Sequence, residues 1–209
     1  MEQKVWLVAS QKGGAGKTTI ATALARHLAL ESAKSSVLLC DTDIIQWATI
    51  GWYELRGKVP LPRVTVKKCP KTTDVGRWAS SAPFDHVVID GAPHASKQTM
   101  DLALASDVVI LPTWTTAMSM APTLRLAGEL VDGGVDKERI IIPIMCAGSE
   151  AEVASAIETM SPAGFRISPV ANYFSTAYGK VSDKGLAITE IEIASLRKKA
   201  SAFIDELTK

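Results

Sequence analysis

Three stretches of this chain carry residue types and spacings suited to phosphate chemistry. The first is Ser10-Gln11-Lys12-Gly13-Gly14-Ala15-Gly16-Lys17-Thr18-Thr19. Glycines at 13, 14 and 16 let the backbone approach phosphate oxygens and turn N–H groups inward as a nest. An apolar strand-like run precedes the stretch and a helical one follows, so a helix starting at Lys17 adds the positive end of its dipole. Gly13, Gly14, Ala15, Gly16, Lys17, Thr18 and Thr19 are therefore the expected phosphate-binding residues. Lys17 would reach the β- and γ-phosphates of a nucleotide, and the Thr18 hydroxyl would ligate Mg²⁺. Three glycines at their usual abundance make a chance match of order 10⁻⁴ per window, before the lysines and threonines are counted. Two details depart from the plain G-x-x-x-x-G-K-[ST] pattern: position 11 is glutamine, and an extra lysine, Lys12, stands at the front of the loop.

The other two stretches are acidic strand ends. Val37-Leu-Leu-Cys-Asp41-Thr42-Asp43 closes with carboxylates at i and i+2, which on an extended chain point to one side, so both could face the phosphate loop. Phe84-Asp85-His-Val-Val-Ile-Asp90-Gly91-Ala92-Pro93 runs four residues from His86 into Asp90, placed to hold Mg²⁺ directly or through water. Gly91 would let a backbone N–H approach the γ-phosphate. His86 is expected to pack in or beside its strand, and His94 to cap the helix that follows.

These side chains need a scaffold that gathers strand ends, and the rest of the chain reads as one. Short apolar runs recur at Val5–Ala9, Val37–Cys40, Val64–Val66, His86–Ile89, Val108–Leu111, Ile140–Met145 and Arg166–Val170. Helical stretches lie between and after them: Lys17–Glu31, Ile45–Arg56, Thr73–Ser81, Ser96–Ala105, Met118–Val131, Ala151–Met160 and Thr189–Leu207. Several runs are continuous rather than alternating, as suits parallel strands covered on both faces. The expected fold is α/β: a single domain over 1–209, with an open, mostly parallel twisted sheet and helices on both faces. Pro60-Leu-Pro62 and Gly133-Gly134 read as turns within it.

Composition narrows the classes further. Of the 209 residues 47% are hydrophobic and 22% charged, which excludes disorder. Basic residues number 23 and acidic ones 22, a net +1, so any nucleic-acid contact must come from a local patch. Cys40, Cys69 and Cys146 form no C-x-x-C pair, which argues against zinc and iron–sulfur sites and suits reduced thiols. No stretch approaches 18 consecutive apolar residues, and the N-terminus leads straight into a strand-like run, so the expectation is a cytoplasmic protein with no membrane partner.

Lys12-Gly-Gly-Ala-Gly-Lys17-Thr-Thr resembles the deviant Walker A motif of the ParA/MinD class of P-loop ATPases, and the short chain is similar to the small plasmid-partition ATPases of the ParF type. The resemblance implies ATP and Mg²⁺ as cofactors and an ATP-dependent homodimer. It implies that Lys12 reaches across a nucleotide sandwich to the partner's phosphates, where a second ammonium stabilises charge growing in the transition state. It assigns Asp43 to orienting the attacking water and Asp41 to the neighbourhood of the magnesium shell. Relatives usually read D-x-D-P-Q where this chain has Asp41-Thr-Asp43-Ile44-Ile45-Gln46, so the proline is lost and Gln46 is displaced. The segment Asp107-Val-Val-Ile-Leu-Pro112-Thr-Trp114-Thr-Thr is similar to a region that lies near the nucleotide and the dimer interface in relatives, and Trp114 is a candidate for that contact or a half-buried loop anchor.

For the last third, the resemblance places base recognition within Asn172–Gly185, near Tyr178 and Gly185-Leu-Ala-Ile-Thr-Glu190. The final helix carries Ile193, Leu196, Ala200, Phe203, Ile204 and Leu207 at helical spacing, which reads as a face docked on the sheet. A membrane-binding helix as in the MinD branch fits less well, because its polar face carries both signs. Lys180, Lys184, Arg197, Lys198 and Lys199 are the candidates for the non-specific DNA contact that relatives make as ATP dimers. A ParB-like or cargo adaptor that stimulates hydrolysis, and a nucleoid-associated location, follow from the same resemblance. Competing readings are a positioning ATPase for a protein cargo (carboxysome or chemotaxis cluster) and a small-molecule ATP-dependent enzyme resembling dethiobiotin synthetase.

Overall fold

The structure, a computed structural model, describes residues 3–61, 63–93 and 96–209. Strands and helices alternate: β1 (Lys4–Ser10), α1 (Lys17–Glu31), β2 (Val37–Asp41), α2 (Ala48–Arg56), β3 (Val64–Lys68), α3 (Thr72–Ala79), β4 (His86–Pro93), α4 (Lys97–Leu104), β5 (Val108–Ile110) and α5 (Ala117–Asp132). They continue with β6 (Ile140–Ile142), β7 (Met145–Ala147), α6 (Glu150–Met160), β8 (Arg166–Ile167), β9 (Asn172–Tyr173), α7 (Thr176–Ser182) and α8 (Ala194–Thr208). Seven strands form one sheet in the order β3-β2-β4-β1-β5-β6-β8, and β7 pairs with β9 beside it. Among the described residues every strand pairing is parallel. This is the expected α/β architecture.

The apolar runs are continuous because both faces of the sheet are covered. Trp6, Val8, Leu39, Val88 and Ile110 pack under α1, α2, α7 and α8, while Leu7, Ala9, Leu38, Val87 and Ile89 pack under α3, α4, α5 and α6. Alternate residues of one strand thus enter opposite cores, and neither set can be polar. The chain leaves β1 toward β2 on one side and crosses from β4 to β5 on the other. The crevice at the carboxyl end of β1 is therefore a topological switch point, where open parallel sheets take ligands.

Several boundaries differ from the sequence pattern for local reasons. The run Ile140–Met145 splits into β6 and β7 around Pro143, which has no N–H for the ladder. Arg166–Val170 shortens to Arg166–Ile167. The helix expected from Ile45 starts at Ala48, because the Asp43 carboxylate accepts the N–H groups of Ile45 and Gln46 (3.0 and 3.1 Å) and holds that stretch as a turn. The helix expected from Thr189 starts at Ala194. Glu190 folds back to accept the N–H of Ala187 (2.9 Å), closing a 3-10 turn over Ile188–Glu190. As a result Ile193 is outside the helix and half exposed, while Ala200, Phe203, Ile204 and Leu207 dock α8 as expected. Helix α7, absent from the sequence reading, starts at Ser175, whose hydroxyl accepts the N–H of Ala177. His86 does open β4, beside Trp6. His94 and Pro62 lie outside the described residues, and the cap of α4 is Ser96, accepting from the N–H of Thr99. Among the described residues no helix is long and apolar enough to cross a membrane.

One glycine sets the closeness of β1 and β4. A Cβ on Gly91 would sit 2.7 Å from the Val8 carbonyl oxygen and 3.4 Å from Ala9 Cα, both backbone atoms unable to step aside. Gly91→Ala is expected to destabilise the chain by about 1–3 kcal/mol, the usual range for overpacking. Urea unfolding monitored by circular dichroism checks this, and an unchanged midpoint would contradict it.

Candidate nucleotide-phosphate site

The loop after β1 owes its shape to two glycines in the left-handed region, Gly14 (φ 74°) and Gly16 (φ 95°). Gly16 precedes the first residue of α1, and a Cβ there would meet Met145 Cε at 2.7 Å, so β7 backs the loop at this point. Lys17 is 9% exposed. Its ammonium lies 3.4 Å from both Ser10 Oγ and the Lys12 carbonyl. Burial pulls the Lys17 pKa down, while the charges of Asp90 and Asp43 act to keep it protonated. The loop forms one wall of a pocket of about 220 Å³. Gly13, Gly14, Gly16, Lys17, Thr18 and Thr19 line that wall, with Asp43, Gln46 and Ala48 on a second and Asp90, Gly91 and Pro93 on a third.

Asp90 is the most constrained group in the pocket. Thr18 Oγ1 and Thr49 Oγ1 each donate to its Oδ2 at 2.7 Å, while its Oδ1 is buried with no partner. Burial lifts its pKa from 3.8 to about 6, against the hydrogen bonds of the two threonines and the charge of Lys17. A bare buried carboxylate oxygen costs stability unless something positive meets it. The Thr18 hydroxyl gives its proton to Asp90 and so keeps its oxygen lone pairs available. Among the described residues no cluster of three or more His, Cys, Asp or Glu side chains could cage a metal. The donor set fits a cation shared between one carboxylate, one hydroxyl and phosphate oxygens, the manner in which Mg²⁺ is usually held.

The remaining candidates fall in different places. Asp43 lines the pocket, with its Oδ1 spent on the turn at Ile45 and Gln46. Asp41, expected near the magnesium shell, is fully buried and does not line the pocket. Its Oδ1 accepts from the N–H of Asp43 (3.1 Å) and its Oδ2 from the N–H of Ile50 (3.1 Å). It anchors the backbone of the turn, and burial raises its pKa. Lys12 is exposed, stands outside the pocket and donates to the carbonyl of Met118 on the same chain. Trp114 is 42% exposed, with its N–H bonded to Ser119 Oγ.

In the last third, Tyr178 is a structural residue: its hydroxyl donates to the Leu196 carbonyl (2.9 Å), tying α7 to α8. Ser182 and Asp183 line a second depression of about 300 Å³ that shares Thr18, Thr19, Gln46 and Ala48 with the pocket. Lys180, Lys184, Arg197, Lys198 and Lys199 are all exposed, and the ammonium of Lys199 lies over the Tyr173 ring. Sequence reasoning missed Thr49 and Arg56. Neither residue belongs to a motif, and each finds its charged partner only through the fold.

A glycine-turned loop on a helix N-terminus, opposed by an aspartate in the carboxyl half of a central strand at the switch point of a parallel sheet, defines a P-loop nucleotide-binding protein. Residues 6–133 match the family model described as the CobQ/CobB/MinD/ParA nucleotide binding domain, and the chain belongs to this family. No curated protein sequence matches it. Solved structures share its fold. The complex of a McdA variant from Cyanothece with ATP is 18% identical, with a TM-score of 0.71, over 99% of this chain and 96% of that one. MinD from Pyrococcus horikoshii with Mg-ADP is 17% identical, with a TM-score of 0.72, over 99% and 95%. A ParA family ATPase from Chlorobium tepidum is 16% identical, with a TM-score of 0.67, over 97% and 99%.

The state of Asp90 gives a pH-dependent prediction. Its folded pKa, about 6, lies above the ordinary 3.8, so the folded chain holds this proton more tightly than the unfolded chain. The benefit is full below about pH 4 and is lost as pH rises through 6. Above that, the buried charge costs on the order of 3 kcal/mol. Asp90→Asn is therefore expected to melt higher than the parent chain at pH 8 without nucleotide or divalent cation, with the gap closing toward pH 4. Equal melting temperatures at both pH values would contradict the assignment.

Proposed function

We propose that residues 1–209 act as one ParA-type ATPase unit that binds ATP with Mg²⁺, dimerises on doing so, binds DNA without sequence preference and is reset by hydrolysis, in the service of plasmid or chromosome partition. The observation that carries this reading is the pairing of a complete phosphate loop with an unpartnered Asp90 oxygen in one pocket. The nucleotides held by the McdA variant and by the Pyrococcus MinD support ATP and Mg²⁺ as the ligands. Thr18 and Asp90 would hold the cation, which supplies neutralisation of charge on the β- and γ-phosphates. Lys17 binds the same phosphates from the loop side. Asp43, on the opposite wall, accepts a hydrogen bond from the attacking water and orients it.

Dimerisation draws support from two features. The ammonium of Lys12 lies outside its own pocket, so its contribution to phosphate chemistry requires the pocket of a second copy. Around the carboxyl edge of the sheet, Ile44 (60% exposed), Ile45 (85%), Trp114 (42%) and Met118 (76%) leave apolar surface that a second copy would cover. The exposed cations Lys180 of α7, Lys184 just after it, and Arg197, Lys198 and Lys199 of α8 supply the phosphate-neutralising contacts to DNA. A ParB-like or cargo adaptor stimulates turnover, and the protein works in the cytoplasm on the nucleoid.

The reading is tested by DNA retardation with ATPγS and with ADP across a salt series. ATPγS-dependent binding that weakens steeply with salt is expected, and equal binding with both nucleotides would overturn it. Lys12→Ala is expected to bind ATP within a few-fold of the parent yet remain monomeric in sedimentation velocity, and ATP dimers of unchanged strength would remove Lys12 from the partner's site. Asp43→Ala is expected to bind ATP while its turnover falls by about 10²-fold or more, the loss typical of a missing water-orienting group. Undiminished phosphate release would take Asp43 out of the reaction.

A further inference from the structure

Helix α2 is bonded at both ends to buried charged groups, and neither bond is needed merely to form a nine-residue helix. At its start, fully buried Thr49 donates to Asp90 Oδ2 (2.7 Å), and the N–H of Ile50 donates to Asp41 Oδ2 (3.1 Å). At its end, Arg56 is 3% exposed and uses all five guanidinium donors. Two run to Glu190 (2.7 Å each), and the others to the carbonyls of Gly185 (3.0 Å), Pro60 (2.7 Å) and Val59 (3.1 Å). Glu190 also pairs with Arg26 of α1 at 3.1 Å. Gly185 packs so closely that a Cβ there would lie 2.1 Å from the Arg56 backbone nitrogen. The eight residues from Thr49 to Arg56 span roughly 10 Å of helix.

Neither Thr49, Arg56 nor Glu190 lines the phosphate pocket. Thr49 nevertheless shares one oxygen of Asp90 with Thr18. Those are the two side chains that the ATPase reading gives to the cation, so whatever rearranges Asp90 on loading is felt by α2 through a single hydroxyl. At the other end, the bidentate ion pair fixes α2 to the segment that leads into α8, and the bond from Tyr178 to Leu196 joins α7 to the same region. A rigid helix between two specific anchors is a physical route for coupling, and it requires a demonstrated difference between two states.

We propose that Thr49 is a positioning residue for Asp90, and that α2 carries the loaded or empty state of the pocket to the Arg56–Glu190 pair and so to α7 and α8. The proposal rests on the ATPase reading and deepens it, because it names the path by which nucleotide would control the surface assigned to DNA.

Hydrogen–deuterium exchange of the full chain, with and without Mg-ATPγS, tests it. In the parent, residues 11–19 should be protected and exchange across residues 186–199 should slow by at least three-fold. Thr49→Val, which keeps the shape and loses the hydroxyl, should retain protection at 11–19 and lose the response at 186–199. Thr49→Ser should restore that response. Should Thr49→Val not fold, Glu190→Gln tests the far anchor, with protection kept at 11–19 and the response lost at 186–199. Protection at 11–19 with no change at 186–199 in the parent, or a valine or glutamine variant that responds as the parent does, overturns the coupling alone. No protection at 11–19 in the parent overturns the ATPase reading together with the coupling.

Discussion

A single carboxylate, Asp90, sets the terms for the surrounding structure. It sits in the carboxyl half of the central strand β4, 2% exposed, with one oxygen held by hydroxyls from two helices and the other bare. Such a group is expensive in an apolar interior, and the chain meets the cost only in part, through Thr18, Thr49 and the nearby charge of Lys17. What remains is a site whose electrostatics favour a cation, with glycine-turned amides nearby that favour an anion. A nucleotide with a divalent ion satisfies both demands together.

The sheet makes this arrangement affordable. Parallel strands buried on both faces bring their carboxyl ends to one edge, and the switch of direction around β1 opens a gap there. Gly91 lets β4 lie close enough to β1 for Asp90 and the loop to face each other. On the other side of the pocket, Asp41 and Asp43 serve the backbone before they serve any ligand, since between them they accept four N–H groups of the turn and of α2. The Ile44-Ile45 departure from the familiar proline-glutamine pair is thus accommodated by the Asp43 side chain, which holds the turn without proline. Both isoleucines are exposed, so the turn is held by hydrogen bonds to Asp43 and not by apolar burial.

The phosphate loop, the Asp90 strand end and the parallel α/β fold were legible in the sequence. Each depends on short-range rules: glycine conformational freedom, the helix start at Lys17, and apolar runs too continuous for a half-exposed sheet. The boundaries that went astray, the starts of α2 and α8 and the break at Pro143, were decided by side chains reaching back to the backbone or by a missing N–H, which periodicity does not register. Spacing also suggested that Asp41 and Asp43 both face the phosphate loop, since i and i+2 share a side. The turn after β2 separates them, leaving one on the pocket wall and one behind it.

By itself, the sequence determined the kind of ligand and the end of the sheet that receives it, because loop chemistry and strand patterning are properties of contiguous residues. Only the tertiary structure decided which groups complete the site. Thr49 reaches Asp90 across 41 positions, and Arg56 reaches Glu190 across 134. A hydroxyl or a guanidinium acquires such a role only when folding brings a buried carboxylate to it and removes the water that would otherwise satisfy both.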